Sequence, residues 1–349
     1  MRDPLSHVHR EQRDTEDRRE KPLMWCSTVG GIVTLTLSLF LAPLCADAQS
    51  LAKVPRIGVI STVSPVDLQQ APFLQELRKL GYVVGQNIPI DWRSYGGTDE
   101  RARDHAADLV QLQVDALVAF GGPASRAAKQ ATSTIPIIMV VGDALEQGLV
   151  PSLARPGGNL TGISAMPTEL SQRRLEILRE ALPQIRRVAV LWCPDLAGNP
   201  PQWREIQSGA AKLGLQLQSL EVRSPDDFDP AFAAATRDGA EALFVAECAL
   251  FVPPRERLVA LAGKHRLPAI YGGKGAVVAG GLMAYGASGS EIARRVAVYV
   301  DKILKGAKPA DLPVEHAMKF ELVINLKAAK DLGITMPPSV LLQADEVIQ

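Results

Sequence analysis

An internal repeat constrains the fold of this chain more than any other feature of its sequence. From Lys53 onward, short apolar runs alternate with helical patterns, and the same order of runs occurs twice. Corresponding residues of the two halves are separated by 131, 133, 126 and 132 positions, which pair Arg56 with Arg187, Leu80 with Leu213, Asp115 with Glu241 and Pro136 with Pro268. This alternation is typical of βαβ units around a parallel sheet. The sequence therefore predicts an α/β protein with two Rossmann-like lobes.

The predicted strands are apolar on both faces, as expected when helices cover both sides of a sheet. In the first half they comprise residues 56–60, 88–92, 116–120 and 136–140, and the helices between them begin near Pro65, Thr98 and Pro123. In the second half the strands comprise residues 187–191, the run that follows Gly214, and residues 241–245 and 267–270.

The segments that join the lobes are also predicted. Residues 142–168 are rich in turn-forming residues and have no long period, which indicates a crossover. A return strand over 280–286, a helix over 290–305, a strand running into a helix over 318–327 and a last helix over 337–348 follow. We predict that lobe 1 comprises 53–162 with 281–308, and lobe 2 comprises 163–280 with 309–349. Repeated crossings of this kind make a hinge and leave a cleft between the lobes.

The first 48 residues predict a cleavable signal peptide with an N-terminal extension. A mixed-charge stretch precedes an almost charge-free run from Ser27 to Leu44, and Ala46-Asp47-Ala48 forms an A-x-A cleavage site. The apolar run is short for a membrane span. We therefore expect cleavage near Ala48 and a periplasmic protein, with translation starting at either Met1 or Met24.

Two cysteines remain after this cleavage, Cys193 and Cys248, and each falls just after a predicted strand. Two small buried thiols are the simpler interpretation of the pair. A disulfide between them is geometrically conceivable and would fit an exported protein.

Composition and motifs exclude several classes of function. Lys and Arg together number 38, as do Asp and Glu, so the chain has no overall charge that attracts nucleic acid or an anionic membrane. It contains no Walker A loop, G-x-S-x-G elbow, H-E-x-x-H or C-x-x-C motif. His105, His265 and His316 lie apart, without the spacing of metal ligands. We predict no catalytic residues, no metal and no cofactor.

Candidate ligand-binding residues follow from the order of the strands, because ligands of open α/β sheets bind beyond the carboxyl ends of the strands. The candidates are Ser61, Thr62, Gly122, Ser125, Asp143, Glu247, Tyr271 and Tyr285. The hydroxyl and N–H groups of the first four can bind an acidic group of a ligand. Asp143 or Glu247 can bind an amine, and the two tyrosines can contact an apolar portion.

Each candidate also has a purely structural interpretation. The serines can cap helices, and Gly122 can serve only the tight turn. Asp143 can fix the crossover, and Glu247 can cap a helix or face solvent. The tyrosines can lie away from the cleft.

Several long segments resemble a known family. They are R-I-G-V-I-S at 56–61, G-L-V-P-S-L-A-R-P-G-G-N-L-T-G at 148–162, G-G-L-M-A-Y-G at 280–286 and F-E-L-V-I-N-L-K-A-A-K at 320–330. With them the chain, from Lys53 to Gln349, resembles the ABC-transporter substrate-binding proteins related to tryptophan and phenylalanine binders. The resemblance implies a type I periplasmic-binding-protein fold and delivery of a small molecule to a permease with its ATPase.

The sequence departs from this family pattern at three places. Cys193-Pro194 stands where relatives usually carry Asn-Pro, Glu247-Cys248 where Pro-Asp or a similar pair is common, and Val277-Val278-Ala279 where an acidic residue is common. We expect a monomeric periplasmic solute-binding protein that closes on an amino-acid-like molecule or a carboxylate. Two alternatives are a secreted isomerase or hydrolase that uses Asp143, Asp195 or Glu247, and a ligand sensor coupled to a membrane signalling partner.

Overall fold

The structure is a computed structural model that describes residues 54–62, 72–165, 167–196 and 198–349, with the backbone alone at residues 167 and 169. The predicted signal peptide and the predicted helix start near Pro65 lie outside the described residues. None of the helices in the described part is both long enough and apolar enough to cross a membrane.

The first half of the chain alternates strands and helices as its sequence predicts. In chain order the elements are β1 (Ile57–Ser61), α1 (Pro72–Lys79), β2 (Ile90–Ser94), α2 (Asp99–Gln111), β3 (Ala116–Phe120), α3 (Gly122–Ala131), β4 (Ile137–Val141) and β5 (Leu160–Ser164).

The second half repeats this alternation. Its elements are α4 (Pro167–Ala181), β6 (Arg187–Trp192), α5 (Asn199–Leu213), β7 (Gln216–Glu221), α6 (Phe228–Arg237), β8 (Ala242–Val245), α7 (Arg255–Lys264), β9 (Ala269–Tyr271), α8 (Lys274–Val278) and β10 (Met283–Ala287). Short 3₁₀ helices lie at Pro225–Asp227 and Ala249–Phe251.

The last part of the chain serves both halves. It comprises α9 (Gly289–Leu304), a 3₁₀ helix at Pro309–Asp311, β11 (Glu315–His316), β12 (Phe320–Asn325), α10 (Leu326–Leu332), α11 (Pro338–Leu341) and β13 (Glu346–Ile348).

These strands form two sheets, and each sheet is the centre of one lobe. The first has the order β11-β5-β4-β3-β1-β2, with every neighbouring pair parallel. The second has the order β13-β12-β10-β9-β8-β6-β7 and is parallel except between β10 and β12. The order β2-β1-β3-β4-β5 recurs as β7-β6-β8-β9-β10, so the predicted pair of similar α/β lobes is confirmed.

Helices cover both faces of the first sheet. On one face Ile57 and Val59 pack with Phe73 of α1 and Tyr299 of α9. On the other face Ile60 packs in a cluster that contains residues of α2 and α3. Burying each large apolar side chain of this kind contributes about 1.5–3 kcal/mol to folding. The helix over 289–304 therefore belongs to lobe 1, although it follows a strand of the second sheet.

The strand β5 lies inside the segment that the sequence predicts to be a crossover. Its sequence, Leu-Thr-Gly-Ile-Ser, contains turn-forming residues and is too short to show a period. The structure pairs it with the fully apolar β4, and Gly162 has φ of 139° where it lies against the backbone of Met139. Contacts with a neighbouring strand, rather than local preference, define this strand.

Strand pairing corrects two parts of the predicted lobe boundaries. The strand β10, assigned by sequence to lobe 1, pairs with β9 and β12 in the second sheet. The strand β11, assigned to lobe 2, pairs with β5 in the first sheet. Among the described elements the chain thus passes between the lobes after β5, after β10 and after β11.

The predicted last helix over 337–348 is also wrong over most of its length. The helix α11 ends at Leu341, and β13 pairs in parallel with residues Val323–Asn325 of β12. The carboxylate of Asp345 accepts a hydrogen bond of 2.8 Å from the backbone N–H of Leu322. This contact with β12 places the tail in the second sheet. The hydrophobic pattern within the tail itself gives no information about such pairing with another strand.

Cys193 and Cys248 form a disulfide, so the simpler interpretation as two buried thiols is wrong. The two residues follow β6 and β8, which are adjacent in the second sheet, and their Cα atoms are 6.4 Å apart. Because neighbouring parallel strands end at the same edge, the positions after them lie within reach of a disulfide.

We predict that replacing both residues, in C193A/C248A, lowers the free energy of unfolding by about 2–4 kcal/mol, since the disulfide closes a long loop in the unfolded chain. Denaturant titration measures the change. Dithiothreitol should destabilise the unaltered protein by a similar amount and leave the double variant unaffected. Full alkylation of both cysteines in the unreduced, exported protein would contradict the disulfide.

Candidate functional site

Residues of both lobes line a cleft of about 400 Å³. The lining comes mainly from the ends of β1, β3, β4 and β5 in lobe 1 and of β6, β8 and β9 in lobe 2, with the segments that follow them. These are the carboxyl ends of parallel strands, where ligands of such sheets bind. The volume lies within the range of small-molecule sites.

The wall from lobe 1 offers hydrogen-bond donors and a positive charge. The helix α3 begins at Gly122 on this wall, and the first N–H groups of a helix have no partner within it. Gly121, just before it, has φ of 96°, a conformation that glycine adopts without strain. Thr62 and Arg126 line the same wall. Together these groups suit the carboxylate of a ligand.

The wall from lobe 2 carries an acidic side chain held by a buried arginine. Arg174 of α4 is completely buried, and its guanidinium contacts the Glu247 carboxylate through Nη2 and donates from Nε to the Tyr285 carbonyl at 2.6 Å. The Glu247 side chain is 33% exposed and lines the cleft. Arg174 therefore joins α4 to the ends of β8 and β10 and orients a carboxylate toward the cleft.

The backbone at this end of β8 is fixed from a second direction. The Asn199 amide donates to the Glu247 carbonyl at 2.9 Å and accepts from the Cys193 N–H at 3.1 Å. The disulfide to Cys248 lies beside these hydrogen bonds. The carboxylate of Glu247 is consequently held on a rigid segment rather than on a free loop.

Apolar side chains complete the cleft. Phe120 of lobe 1 and Val245, Phe251 and Leu258 of lobe 2 are among its lining residues. Tyr271 also lines it but is 4% exposed, and burial raises the pKa of its phenol, which keeps the group neutral. The cleft thus combines charged groups on opposite walls with an apolar surface.

Five of the eight residues predicted from sequence line this cleft: Thr62, Gly122, Asp143, Glu247 and Tyr271. Asp143 also has the structural role considered for it, because its Oδ1 accepts from the N–H groups of Leu145 at 2.9 Å and Glu146 at 3.0 Å.

The other three residues predicted from sequence, Ser61, Ser125 and Tyr285, lie outside the lining of this cleft. Ser61 is buried at the end of β1. Ser125 is fully buried, and its hydroxyl donates to the Gly121 carbonyl at 2.9 Å. The Tyr285 ring packs against Phe320, with ring centroids 6.4 Å apart. The candidates are chosen because they follow the carboxyl ends of strands. That criterion specifies where a segment lies and not which way each of its side chains points.

Sequence reasoning missed Arg126 and Gln202, which line the cleft, and Arg174 behind it. Arg126 lies one position after the candidate Ser125 in α3, and Gln202 lies in the first turn of α5, beyond the segment that directly follows β6. Including one further turn of each helix among the candidates adds both residues. Arg174 lies among other charged residues of α4, and no local pattern distinguishes it.

The two lobes also touch beside the cleft. Gly97, after β2, has φ of 86°, and a Cβ placed on it would lie 3.2 Å from the Ala249 carbonyl oxygen of lobe 2. On the other side, a Cβ on Gly198 of lobe 2 would lie 3.3 Å from Nε2 of Gln147 of lobe 1. The described structure therefore has the lobes in contact around the cleft.

Within the described ranges no group of three or more His, Cys, Asp or Glu residues is arranged to hold a metal ion.

Comparison with known proteins gives one family match, to "ABC transporter substrate binding protein", over residues 56–348. A tyrosine-binding protein of Clostridioides difficile (strain R20291) is 26% identical over 285 residues, which is 81% of this chain and 82% of that protein. The crystal structure of an ABC domain in complex with L-Trp from Streptococcus pneumonia is 28% identical, with a TM-score of 0.77, and covers 84% of this chain and 99% of that chain.

More distant structures share only the fold. The leucine binding protein LivK of Thermotoga maritima is 15% identical, with a TM-score of 0.51, over 73% of this chain and 77% of that chain. With the two similar sheets, this likeness confirms the type I periplasmic-binding-protein fold.

We predict that Arg174→Met lowers the free energy of unfolding by about 1.5–3 kcal/mol, because it removes the charged hydrogen bond to Glu247 and leaves the Tyr285 carbonyl without its donor. Urea denaturation followed by circular dichroism measures the change. Arg173→Met, at the neighbouring position of α4, is a matched control because Arg173 is 36% exposed and its ion pairs are at the surface. It should cost less than about 1 kcal/mol. Equal losses in the two variants would refute the role of Arg174.

Proposed function

Because this chain belongs to the ABC transporter substrate-binding protein family, we propose that it binds an aromatic amino acid between its lobes and delivers it to the permease. The family itself comprises the solute-binding components of ABC transporters, so the chain captures a small molecule for such a transporter. The aromatic amino acid, the closure of the lobes and the periplasmic location are our proposals.

The observation that carries the proposal is the distribution of charge and apolar surface across the cleft. Donors of lobe 1, Gly122 and Arg126 among them, face a cleft whose opposite wall presents the Glu247 carboxylate. A zwitterion fits this arrangement, with its carboxylate on lobe 1 and its ammonium group near Glu247. The apolar walls, which include Phe120 and Phe251, suit a large hydrophobic side chain. The ligands named for the two relatives support the same class.

We propose that binding closes the two lobes about the three connecting segments. A ligand that contacts both walls binds the closed form more tightly than the open form and so shifts the population toward closure. The permease with its ATPase would then recognise the closed form. The contact of Gly97 with the backbone at Ala249 supports a closed state in which the lobes meet.

We propose further that the chain works as a monomer in the periplasm and has no catalytic activity. The disulfide between Cys193 and Cys248 supports an oxidising compartment. Cleavage near Ala48 remains our expectation for the signal peptide. The two acidic residues of the cleft, Asp143 and Glu247, already accept hydrogen bonds from the protein, which suits binding better than acid–base chemistry. The sensing alternative has no specific observation in its favour.

Isothermal titration calorimetry on protein purified from the periplasm tests the proposal. We expect at least one of L-tryptophan, L-tyrosine and L-phenylalanine to bind with a dissociation constant of about 1 µM or lower, which is about −8 kcal/mol. Analogues of that ligand without the amino group or without the carboxylate should bind at least about tenfold more weakly, since a charged hydrogen bond is worth about 1.5–3 kcal/mol. Binding of a neutral sugar and of none of the three amino acids would overturn the proposal.

The closure step has a matched pair of variants, Gly97→Ala and Gly96→Ala. Both glycines have positive φ, 86° and 61°, so both substitutions strain the loop. Only Gly97 faces lobe 2, whereas a Cβ on Gly96 would meet only Arg101 of its own lobe, at 3.3 Å. We expect G97A to bind the ligand about tenfold more weakly than G96A, a difference of about 1.4 kcal/mol. Equal affinities in the same calorimetric assay would argue against closure through this contact.

A further inference from the structure

Two polar side chains of the cleft, those of Tyr271 and Gln202, have no hydrogen-bond partner among the described residues, and Gln202 leaves both a donor and an acceptor unpaired. Gln202 lies on α5, is 1% exposed, and lines the cleft. Neither its amide nitrogen Nε2 nor its amide oxygen Oε1 has a hydrogen-bond partner among the residues that the structure describes. Buried amide groups are nearly always hydrogen-bonded, so an unpaired amide at a binding surface indicates a missing partner.

The position of Gln202 separates it from the groups that suit the charged ends of an amino acid. It lies one turn after Asn199, which is hydrogen-bonded to the backbone of Glu247. A cation and a helix N-terminus that suit a carboxylate lie on the opposite lobe, at Arg126 and Gly122, although Arg255 of lobe 2 also lines the cleft. With the ammonium group at Glu247, both charged ends of the ligand have partners other than Gln202. Its amide is then left for the side chain of the ligand.

The lobe 2 wall carries apolar side chains beside Gln202, in addition to the polar Arg255 and Tyr271. Val245, Phe251 and Leu258 line the same wall, as does the disulfide-bonded Cys248. When the lobes close on a ligand, water leaves this surface. A hydrocarbon side chain would then leave the Gln202 amide desolvated and unpaired, and an unmade hydrogen bond in such a place disfavours binding. A side chain with an N–H or O–H donor removes this penalty.

We propose that Gln202 is a specificity-determining residue whose amide oxygen accepts a hydrogen bond from the side chain of the ligand. The cleft then prefers an aromatic amino acid with a ring donor, a phenol O–H or an indole N–H, over one with a plain hydrocarbon ring. The amide can present Oε1 to the ligand by rotation of its terminal torsion. This inference rests on the proposed function, because it assumes an amino acid in the same cleft.

Calorimetric titration of the exported protein with L-tyrosine, L-phenylalanine and O-methyl-L-tyrosine tests the proposal directly. We expect L-tyrosine to bind about 10- to 100-fold more tightly than L-phenylalanine, because a site built to pair with a donor rejects the analogue that lacks it. O-methyl-L-tyrosine keeps the oxygen and loses the donor, so it should bind weakly as well. This comparison needs no variant and does not depend on how a mutant folds.

The variant Gln202→Met keeps the size of the side chain and removes its amide. We expect the ratio of affinities for L-tyrosine and L-phenylalanine to fall to within about threefold, mainly through tighter binding of L-phenylalanine. Gln147→Met is the matched control, since Gln147 is the same residue type on the opposite wall of the cleft. It should change both affinities together and preserve the ratio. The thermal midpoint of each variant reports whether it folds.

The outcomes separate this inference from the proposed function. Equal affinities of the unaltered protein for L-tyrosine and L-phenylalanine, or an unchanged ratio in folded Q202M, would overturn the role of Gln202 and leave the aromatic amino acid as ligand. If none of the aromatic amino acids binds to the unaltered protein, the proposed function fails, and the inference about Gln202 fails with it.

Discussion

Parallel strand pairing, used twice, is the constraint on which the rest of this structure depends. From β1 to β5 and again from β6 to β10, every strand runs in one direction, so these strands of each lobe end at one edge of its sheet. Backbone turns and helix N-termini collect at that edge, where their N–H groups lack partners within the secondary structure. The cleft forms where these edges of the two lobes face each other. Residues far apart in sequence, such as Gly122 and Glu247, thereby come to line one site.

The two walls of the cleft are built in different ways. Lobe 1 offers the start of α3 and the cation of Arg126. Lobe 2 offers the carboxylate of Glu247, which buried Arg174 contacts from behind, while Asn199 and the disulfide hold the segment that carries it. Cys193 and Cys248 are the two ends of a single covalent link between the segments that follow β6 and β8. This link stiffens the wall on which Gln202 and Glu247 lie, and a pre-organised wall loses less entropy when a ligand binds.

Much of the fold could be predicted from the sequence, because hydrophobic patterns and the repeat fix the order of elements in both halves. The predictions failed where local sequence does not decide the structure. β5 and β13 are short, and they are strands only because an adjacent strand pairs with them. β10 and β11 each belong to the sheet of the lobe other than the one predicted from the sequence. For the site, the rule of strand ends found Thr62 and Glu247 but could not tell that Ser125 and Tyr285 point elsewhere. Arg174 could not be found, since its burial depends on the packing of α4 against the second sheet.

A crystal structure of the exported protein with saturating L-tyrosine tests the central claim most directly. We predict one amino acid in the cleft in contact with both lobes, its carboxylate at the start of α3 near Arg126 and its hydroxyl within hydrogen-bond distance of the Gln202 amide. A ligand bound to one lobe alone, or bound at another surface while the cleft holds only water, would contradict it.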